Sequence, residues 1–239
     1  MIPIVFVHGF ACTHADWRMQ VEFFSAAGRK TFAPDLRGHG ATHARPEDCS
    51  IETYGSDIAA LLEGKDLTGA VLIGHSMGCR VVLQAYLNAP QRVAALVLVD
   101  GSYLGERNPV LIENYSNFAR TLFADMFLSP SVLGTAIVER ALRLPEAVGA
   151  ALFPRLVRWD AANMERSLAA VKVPLLVIQS TYLNAERKRV ALKAGETTPW
   201  LDLVRRNAPH AQIEIISGVG HFPQLEAAQQ VNNLLSGLV

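Results

Sequence analysis

The stretch Val71-Leu72-Ile73-Gly74-His75-Ser76-Met77-Gly78-Cys79 constrains this chain more than any other. It reads Gly-x-Ser-x-Gly, entered from an apolar run over 70–73 and left through a helical pattern over 79–88. A buried strand that turns sharply into a helix holds the serine at the tip of the turn with its hydroxyl exposed. Gly74 and Gly78 keep side chains out of the places where such a turn crowds its neighbours. A bare Gly-x-Ser-x-Gly arises often by chance, so the strand–turn–helix context is what gives it weight. Ser76 is thereby the candidate nucleophile.

The chain has 239 residues, which suits one α/β domain with or without an insertion. Half of the residues are hydrophobic and 18% are charged, ample material for a core. Formal net charge is zero and no basic stripe is visible, which argues against nucleic acid or an anionic membrane surface as partner. The three cysteines, Cys12, Cys49 and Cys79, match neither a disulfide framework nor a metal cluster and read as buried or incidental thiols. The apolar run at the start of the sequence lacks a basic region before it and is cut by His8-Gly9, unlike a secretory signal. No apolar stretch reaches the ~18–20 residues of a membrane span. The expectation is a soluble, cytoplasmic protein.

Residues 2–7 form a short, continuous apolar run, the mark of a strand buried on both faces. A helix is expected over 16–27, with Trp17, Val21 and Phe24 on one face and Gly28 as its stop. A second strand over 30–34 leads into the turn Asp35-Leu36-Arg37-Gly38-His39-Gly40. Ser50 is a fair N-cap for a helix through Asp57, Ile58, Leu61 and Leu62. After the strand ending at Gly74 and its helix, a fourth strand over 93–99 ends at Asp100-Gly101. The rhythm then breaks. Residues 103–170 hold no clear strand, are helical in flavour, and are far longer than an ordinary connection. They read as a cap of several short helices inserted into a core made of 1–102 and 171–239. A fifth strand over 173–179, a polar loop over 180–198, a helix over 199–206, a sixth strand over 212–216 and a final helix over 224–237 complete the chain. Strands alternating with helices predict a mostly parallel sheet of about six strands flanked by helices.

Four landmarks occur in one order: His8-Gly9-Phe10 with Trp17, Asp35-Leu36-Arg37-Gly38-His39-Gly40, Gly74-His75-Ser76-Met77-Gly78, and Gly220-His221. With these, the chain resembles the α/β-hydrolase fold superfamily. It looks most like the small capped carboxylesterase branch typified by pimeloyl-carrier-protein methyl esterases. The resemblance covers everything but the cap, where only general character agrees. It departs from the pattern by starting at what is usually the third strand, so the sheet is expected to lack the usual first two.

A serine hydroxyl needs a base, and the candidate is His221, in a Gly-x-Gly-His turn after the last strand. His8 and His75 belong to the backbone motifs, His39 to the glycine turn, and His14, His43 and His210 read as surface residues. The oxyanion hole is expected from the backbone N–H groups of Phe10 and Met77. The acid that orients the imidazole stays open. In most members of the superfamily it follows the fifth strand here, three residues past a glycine. Ser180 stands at that glycine and Leu183 at the acid position, with Glu186 the nearest carboxylate. The second family location, at the end of the strand after the elbow helix, holds Asp100. That placement resembles haloalkane dehalogenases and some cofactor-free oxygenases. Asp100 is favoured, Glu186 is the alternative, and Asp202 is a further candidate. Asp35 reads as a brace for its own loop.

The resemblance implies a serine hydrolase acting through an acyl-enzyme on short to medium apolar carboxylic esters, with no cofactor and no metal. A small-molecule ester is the expected partner. Alternatives on the same fold are a lactonase of the acyl-homoserine lactone type, a carbon–carbon bond hydrolase and a cofactor-free dioxygenase. A non-catalytic ligand-binding protein is the alternative of another class. An aspartate would have to replace Ser76 for dehalogenase or epoxide hydrolase chemistry.

Overall fold

The computed structural model describes residues 2–105, 111–184, 186 and 188–238. Its centre is a six-stranded parallel sheet made of β1 (Ile4–Val7), β2 (Thr31–Phe32), β3 (Ala70–His75), β4 (Val93–Val99), β5 (Leu175–Gln179) and a last strand (Gln212–Ile215). The spatial order is β2-β1-β3-β4-β5 and then that last strand. Side chains alternate across a strand, and both faces of this sheet are covered. Ile4 and Phe6 pack with Val71, Ile73, Trp17, Phe24, Val231 and Leu235 on one side. Val5 and Val7 pack with Leu72, Leu96, Tyr54, Ile58 and Val81 on the other. Two-sided burial is why the strands read as unbroken apolar runs.

The first face is covered by α1 (Arg18–Ala26) and by the C-terminal part of the chain, the second by α2 (Ile51–Gly64) and α3 (Met77–Asn88). Ser50 caps α2, its hydroxyl accepting the Thr53 N–H at 3.2 Å. The chain leaves the sheet at the end of β4 and returns at β5. In between lie α4 (Tyr115–Ala124), α5 (Val132–Ala141) and α6 (Glu146–Ala170). Part of that connection, residues 106–110, lies outside the described residues. No helix of the described residues is long and apolar enough to cross a membrane.

Several elements differ from their sequence reading. The second strand is two residues, not the five of 30–34, because β2 is an edge strand that pairs only as Ile4↔Thr31 and Val5↔Phe32, with Pro34 unable to donate beyond it. The connection between β4 and β5 is not a set of short helices throughout. Its last helix, α6, runs 25 residues with Pro154 inside. Proline in a helix interior costs about 3 kcal/mol. Burial of Leu152, Phe153, Leu156, Val157, Trp159, Met164 and Leu168 along α6 outweighs that cost. The polar loop after β5 contains an antiparallel hairpin, β6 (Thr181–Leu183) with β7 (Arg189–Ala191). After α7 (Pro199–Asn207) and the last sheet strand, β8, the final helix is two: α8 (Pro223–Glu226) and α9 (Ala228–Ser236), parted at Ala227. Glu226 turns back to accept the Gly220 and Phe222 N–H groups at 3.1 and 3.3 Å, so α8 is oriented by the turn before it.

Candidate active site

Ser76 sits between β3 and α3 at φ 53°, ψ −110°, a left-handed conformation that a serine adopts only under constraint. The constraint is steric. A Cβ on Gly74 would lie 2.2 Å from the Gly78 carbonyl oxygen, and one on Gly78 would lie 2.3 Å from that of Val7. The Ser76 N–H donates to Val99 O at 2.9 Å, tying the elbow to β4. Ser76 is half-buried while its neighbours on both sides are buried.

The Ser76 hydroxyl lies 2.9 Å from His221 Nε2, and His221 Nδ1 lies 2.6 Å from Asp100 Oδ2. Three separated segments, the β3–α3 elbow, the end of β4 and the turn after β8, thus meet in one line. Glu186, by contrast, is exposed on the β6–β7 turn, and Asp202 is exposed on α7 in an ion pair with Arg205. Leu183 is a half-buried residue of β6.

Asp100 also has a left-handed backbone, φ 46°, and its N–H donates to Ile178 O at 2.7 Å. Its carboxylate is saturated. Oδ1 accepts the Ser180 and Thr181 N–H groups at 2.7 and 2.8 Å, and Oδ2 accepts the Thr181 hydroxyl at 2.5 Å in addition to His221. Burial pushes the Asp100 carboxyl up, but the hydrogen bond and charge of His221, the charge of Arg189 and the Thr181 hydroxyl together hold it below the usual aspartate range. Burial, followed by the charge of Arg189, pushes His221 down to about 4 against the opposing pull of Asp100. Near neutrality the pair is therefore an aspartate anion and a neutral imidazole. With Nδ1–H donated to the anion, Nε2 is left as the acceptor facing Ser76.

The backbone N–H of Met77 is the first of α3, where no intrahelical partner exists. Phe10 follows Gly9, whose missing Cβ lets the loop approach Ser76: an added Cβ would lie 3.3 Å from Ser76 Cβ. Neither N–H has a hydrogen-bond acceptor among the described residues. The loop carrying Phe10 is braced by two buried histidines. His8 Nδ1–H donates to Gly9 O at 2.8 Å while Nε2 accepts the Leu36 N–H at 3.0 Å. His39 Nε2 accepts the Ala11 N–H at 3.3 Å. Asp35 holds the neighbouring loop, its Oδ2 accepting the Ala41 N–H at 3.2 Å. His75 donates Nε2–H to the carbonyl of His221 at 2.7 Å, and the Phe222 ring packs on it at 4.9 Å.

The connection between β4 and β5 reaches the site at several points. Met126 O accepts the His221 N–H at 2.7 Å. Phe127 stacks on Phe222 at 5.2 Å. Phe118 and Phe153, with Tyr115, surround Phe10 at ring distances from 5.4 to 6.5 Å. Asp160 of α6 forms a fully buried ion pair with Arg80, with contacts of 2.6 and 2.8 Å. Arg80 in turn donates to Ser76 O at 3.1 Å and to Ser102 O at 2.7 Å. Sequence reasoning missed Arg80, Asp160, Thr181, Arg189 and Met126. A charged residue inside the otherwise apolar face of the helix after the elbow was the one available signal, and it concerned Arg80 alone. Among the described residues no group of three or more His, Cys, Asp or Glu side chains could hold a metal ion.

The model of the family described as "Alpha/beta hydrolase family" matches residues 4–234. Over 236 residues the chain is 28% identical to the dihydrolipoyllysine-residue acetyltransferase component of the acetoin cleaving system of Pseudomonas putida, covering 96% of this chain and 61% of that protein. It is 39% identical over 117 residues to a non-heme chloroperoxidase of Streptomyces lividans, covering 48% of this chain and 41% of the relative. These matches span less than two thirds of the relatives' length. Among solved structures, an enzyme described as degrading N-acyl homoserine lactone superposes with a TM-score of 0.82 at 25% identity, covering 100% of this chain and 93% of the other. A thermophilic esterase from Thermogutta terrifontis superposes with a TM-score of 0.80 at 23% identity, covering 99% and 89%, a likeness of fold.

Proposed function

The chain belongs to the alpha/beta hydrolase family, and from that premise we propose that it is a serine hydrolase acting on carboxylic ester bonds through an acyl-enzyme. The observation that carries the reading is the line Ser76 Oγ–His221 Nε2, 2.9 Å, and His221 Nδ1–Asp100 Oδ2, 2.6 Å. Ser76 Oγ attacks the ester carbonyl carbon as its proton passes to His221 Nε2. The oxyanion accepts the N–H groups of Phe10 and Met77. The tetrahedral intermediate collapses, and the alkoxide leaves as the alcohol with the proton from His221. Water then gives a proton to His221 and attacks the acyl carbon, and the acid departs as Ser76 regains its proton. Asp100 keeps the imidazole in one tautomer and offsets the charge of the imidazolium.

The insertion, acting as a cap, supplies the apolar surroundings. Phe118, Leu122 and Phe127 are half-buried against the core. This supports short to medium apolar esters as substrates. Lactones are a second reading, favoured by the full-length similarity to an enzyme described as degrading N-acyl homoserine lactone. Ring opening of a lactone uses the same steps, with the leaving alcohol tethered to the acid.

The test is steady-state hydrolysis of p-nitrophenyl esters from C2 to C12 beside simple and acylated lactones, by wild type and Ser76→Ala. Turnover falling at least about a thousandfold in the variant is expected. Full activity in Ser76→Ala, or no turnover of any ester or lactone by wild type, would remove the serine hydrolase reading.

A further inference from the structure

Arg189 is the one cation facing the Asp100–His221 pair that, among the described residues, has no carboxylate hydrogen-bonded to its guanidinium. It lies on β7 with its side chain 9% exposed. Nη1 donates to Thr181 Oγ1 at 2.8 Å, and Nε is buried with no partner. The nearest ion-pair contact is Asp100 Oδ2 at 3.7 Å, beyond hydrogen-bond reach. Asp125 of the insertion accepts the backbone N–H of Arg189 at 3.0 Å. A buried cation held this way is costly, and an apolar side chain would fill the place more cheaply.

Chemistry gives the arrangement a direction. A guanidinium only donates, and an ionised carboxylate only accepts. The Thr181 hydroxyl has one proton, and with Arg189 donating to its oxygen that proton goes to Asp100 Oδ2. His221 Nδ1–H must also donate to Asp100, so Nε2 must accept from Ser76. Every proton in the chain Arg189–Thr181–Asp100–His221–Ser76 is then assigned.

We propose that Arg189 is a positioning residue which, through Thr181 and by its charge, keeps Asp100 ionised and His221 neutral, oriented and competent as a base. The proposal rests on the serine hydrolase reading. The other charges around the pair are accounted for. Arg80, from α3, is matched by Asp160. His75, at the end of β3, is pushed down to about 3 by burial and by the facing His221, and so is neutral. Glu226, from α8, is engaged by the Gly220 and Phe222 N–H groups. Asp125 faces Arg189 from the insertion side. Removing the Arg189 charge thus leaves burial and the more distant, Asp160-paired Arg80 to oppose protonation of His221, with no other cation to take the place of Arg189.

The test is the rate at which a fluorophosphonate labels Ser76 between pH 4 and 8, beside kcat/KM for p-nitrophenyl butyrate, in wild type, Arg189→Met, Arg189→Lys and Thr181→Val. Arg189→Met is expected to move the acidic limb of both profiles upward by about one pH unit, and Arg189→Lys to return it most of the way. Thr181→Val, which keeps the charge and removes the relay, is expected to lower the plateau about tenfold and move the limb less. An unmoved limb in Arg189→Met, or a rate loss uniform across pH that lysine fails to rescue, overturns the proposal. If Arg189→Met does not fold, a wild-type plateau in Thr181→Val overturns it. Absence of label on wild-type Ser76 is a different failure, that of the serine reading itself.

Discussion

The two ends of the Ser76–His221–Asp100 line are built by different means. At the nucleophile end the backbone does the positioning. Ser76 is held at φ 53° because Gly74 and Gly78 let three segments of main chain come within contact. At the acid end Asp100 is held at φ 46° by donors: two N–H groups, a hydroxyl and an imidazole, all from segments remote in sequence. Backbone crowding demands particular residues at fixed spacing. A saturated carboxylate asks only that suitable donors arrive, from any loop. The first arrangement leaves a motif in the sequence and the second does not.

The largest effect expected from this difference separates the two leading carboxylates of the three considered for the acid. Asp100→Asn should lower kcat by about ten thousandfold, because an amide lets the imidazole take the wrong tautomer. Glu186→Gln, altering an exposed side chain on the hairpin turn, should leave kcat within about twofold. Steady-state ester hydrolysis by the two variants checks this. The reverse ranking would break the comparison by placing the acid in the β6–β7 hairpin after all.

The β6–β7 hairpin is also where legibility in the sequence ended. The sheet strands could be read because two-sided burial writes runs such as Ile4–Val7 and Val93–Val99. Ser76, His221 and the loop of Phe10 were marked by glycines with steric reasons to be there. Asp100 could be named only beside Glu186, since the choice depends on Ser180 and Thr181 folding back over it. Strands of three residues such as Thr181–Leu183 and Arg189–Ala191 are too short to show an alternation. The Arg80–Asp160 pair is invisible for a related reason: its partners lie on α3 and on α6, and nothing local to either predicts the other.

That pair sharpens the comparison, because it adds a side-chain tie to the end that glycines build. Asp160→Asn leaves the Arg80 guanidinium buried without its counter-charge and should cost about 3–5 kcal/mol. In a chain of this size that is a fall in Tm of roughly 10 °C, readable by calorimetry or circular dichroism. Labelling of Ser76 in the folded protein at lower temperature should persist, since the elbow's own geometry does not depend on Asp160. Loss of labelling in a folded Asp160→Asn protein would show the elbow to be held from the insertion instead. Gly78→Ala tests the steric claim directly: its Cβ meets Val7 O at 2.3 Å, and a cost of about 2–3 kcal/mol or more is expected. Gly218→Ala, at φ +79° with nothing within 4 Å, should cost about 1 kcal/mol. Gly78 is helical with no positive φ, so a cost there no larger than at Gly218 would mean that crowding against Val7 is not what keeps Gly78.

The smallest effect per residue is spread over both ends and appears only on acidification. Burial is the main cause that lowers His8 and His75 to about 3 and His39 and His221 to about 4. Above about pH 7.5, a unit over the ordinary histidine value, these histidines are neutral in both folded and unfolded chains and leave stability independent of pH. Below that value the unfolded chain takes up protons that the folded chain refuses. Stability therefore falls as pH falls, each histidine contributing up to about 1.4 kcal/mol per pH unit until its folded value is reached. Asp100 acts in the same direction but later. Its folded value lies below 3.8, so its contribution is present above that range and is lost as pH falls through the folded value. Urea denaturation at pH 8.5, 7.5, 6.5, 5.5 and 4.5 should show a flat segment at the two highest values followed by a steepening loss. His39→Gln should flatten the acidic segment by one histidine's share. Equal slopes in wild type and His39→Gln would mean that the loop beneath Phe10 admits a proton. The backbone-built end would then be no more closed to titration than the acid end.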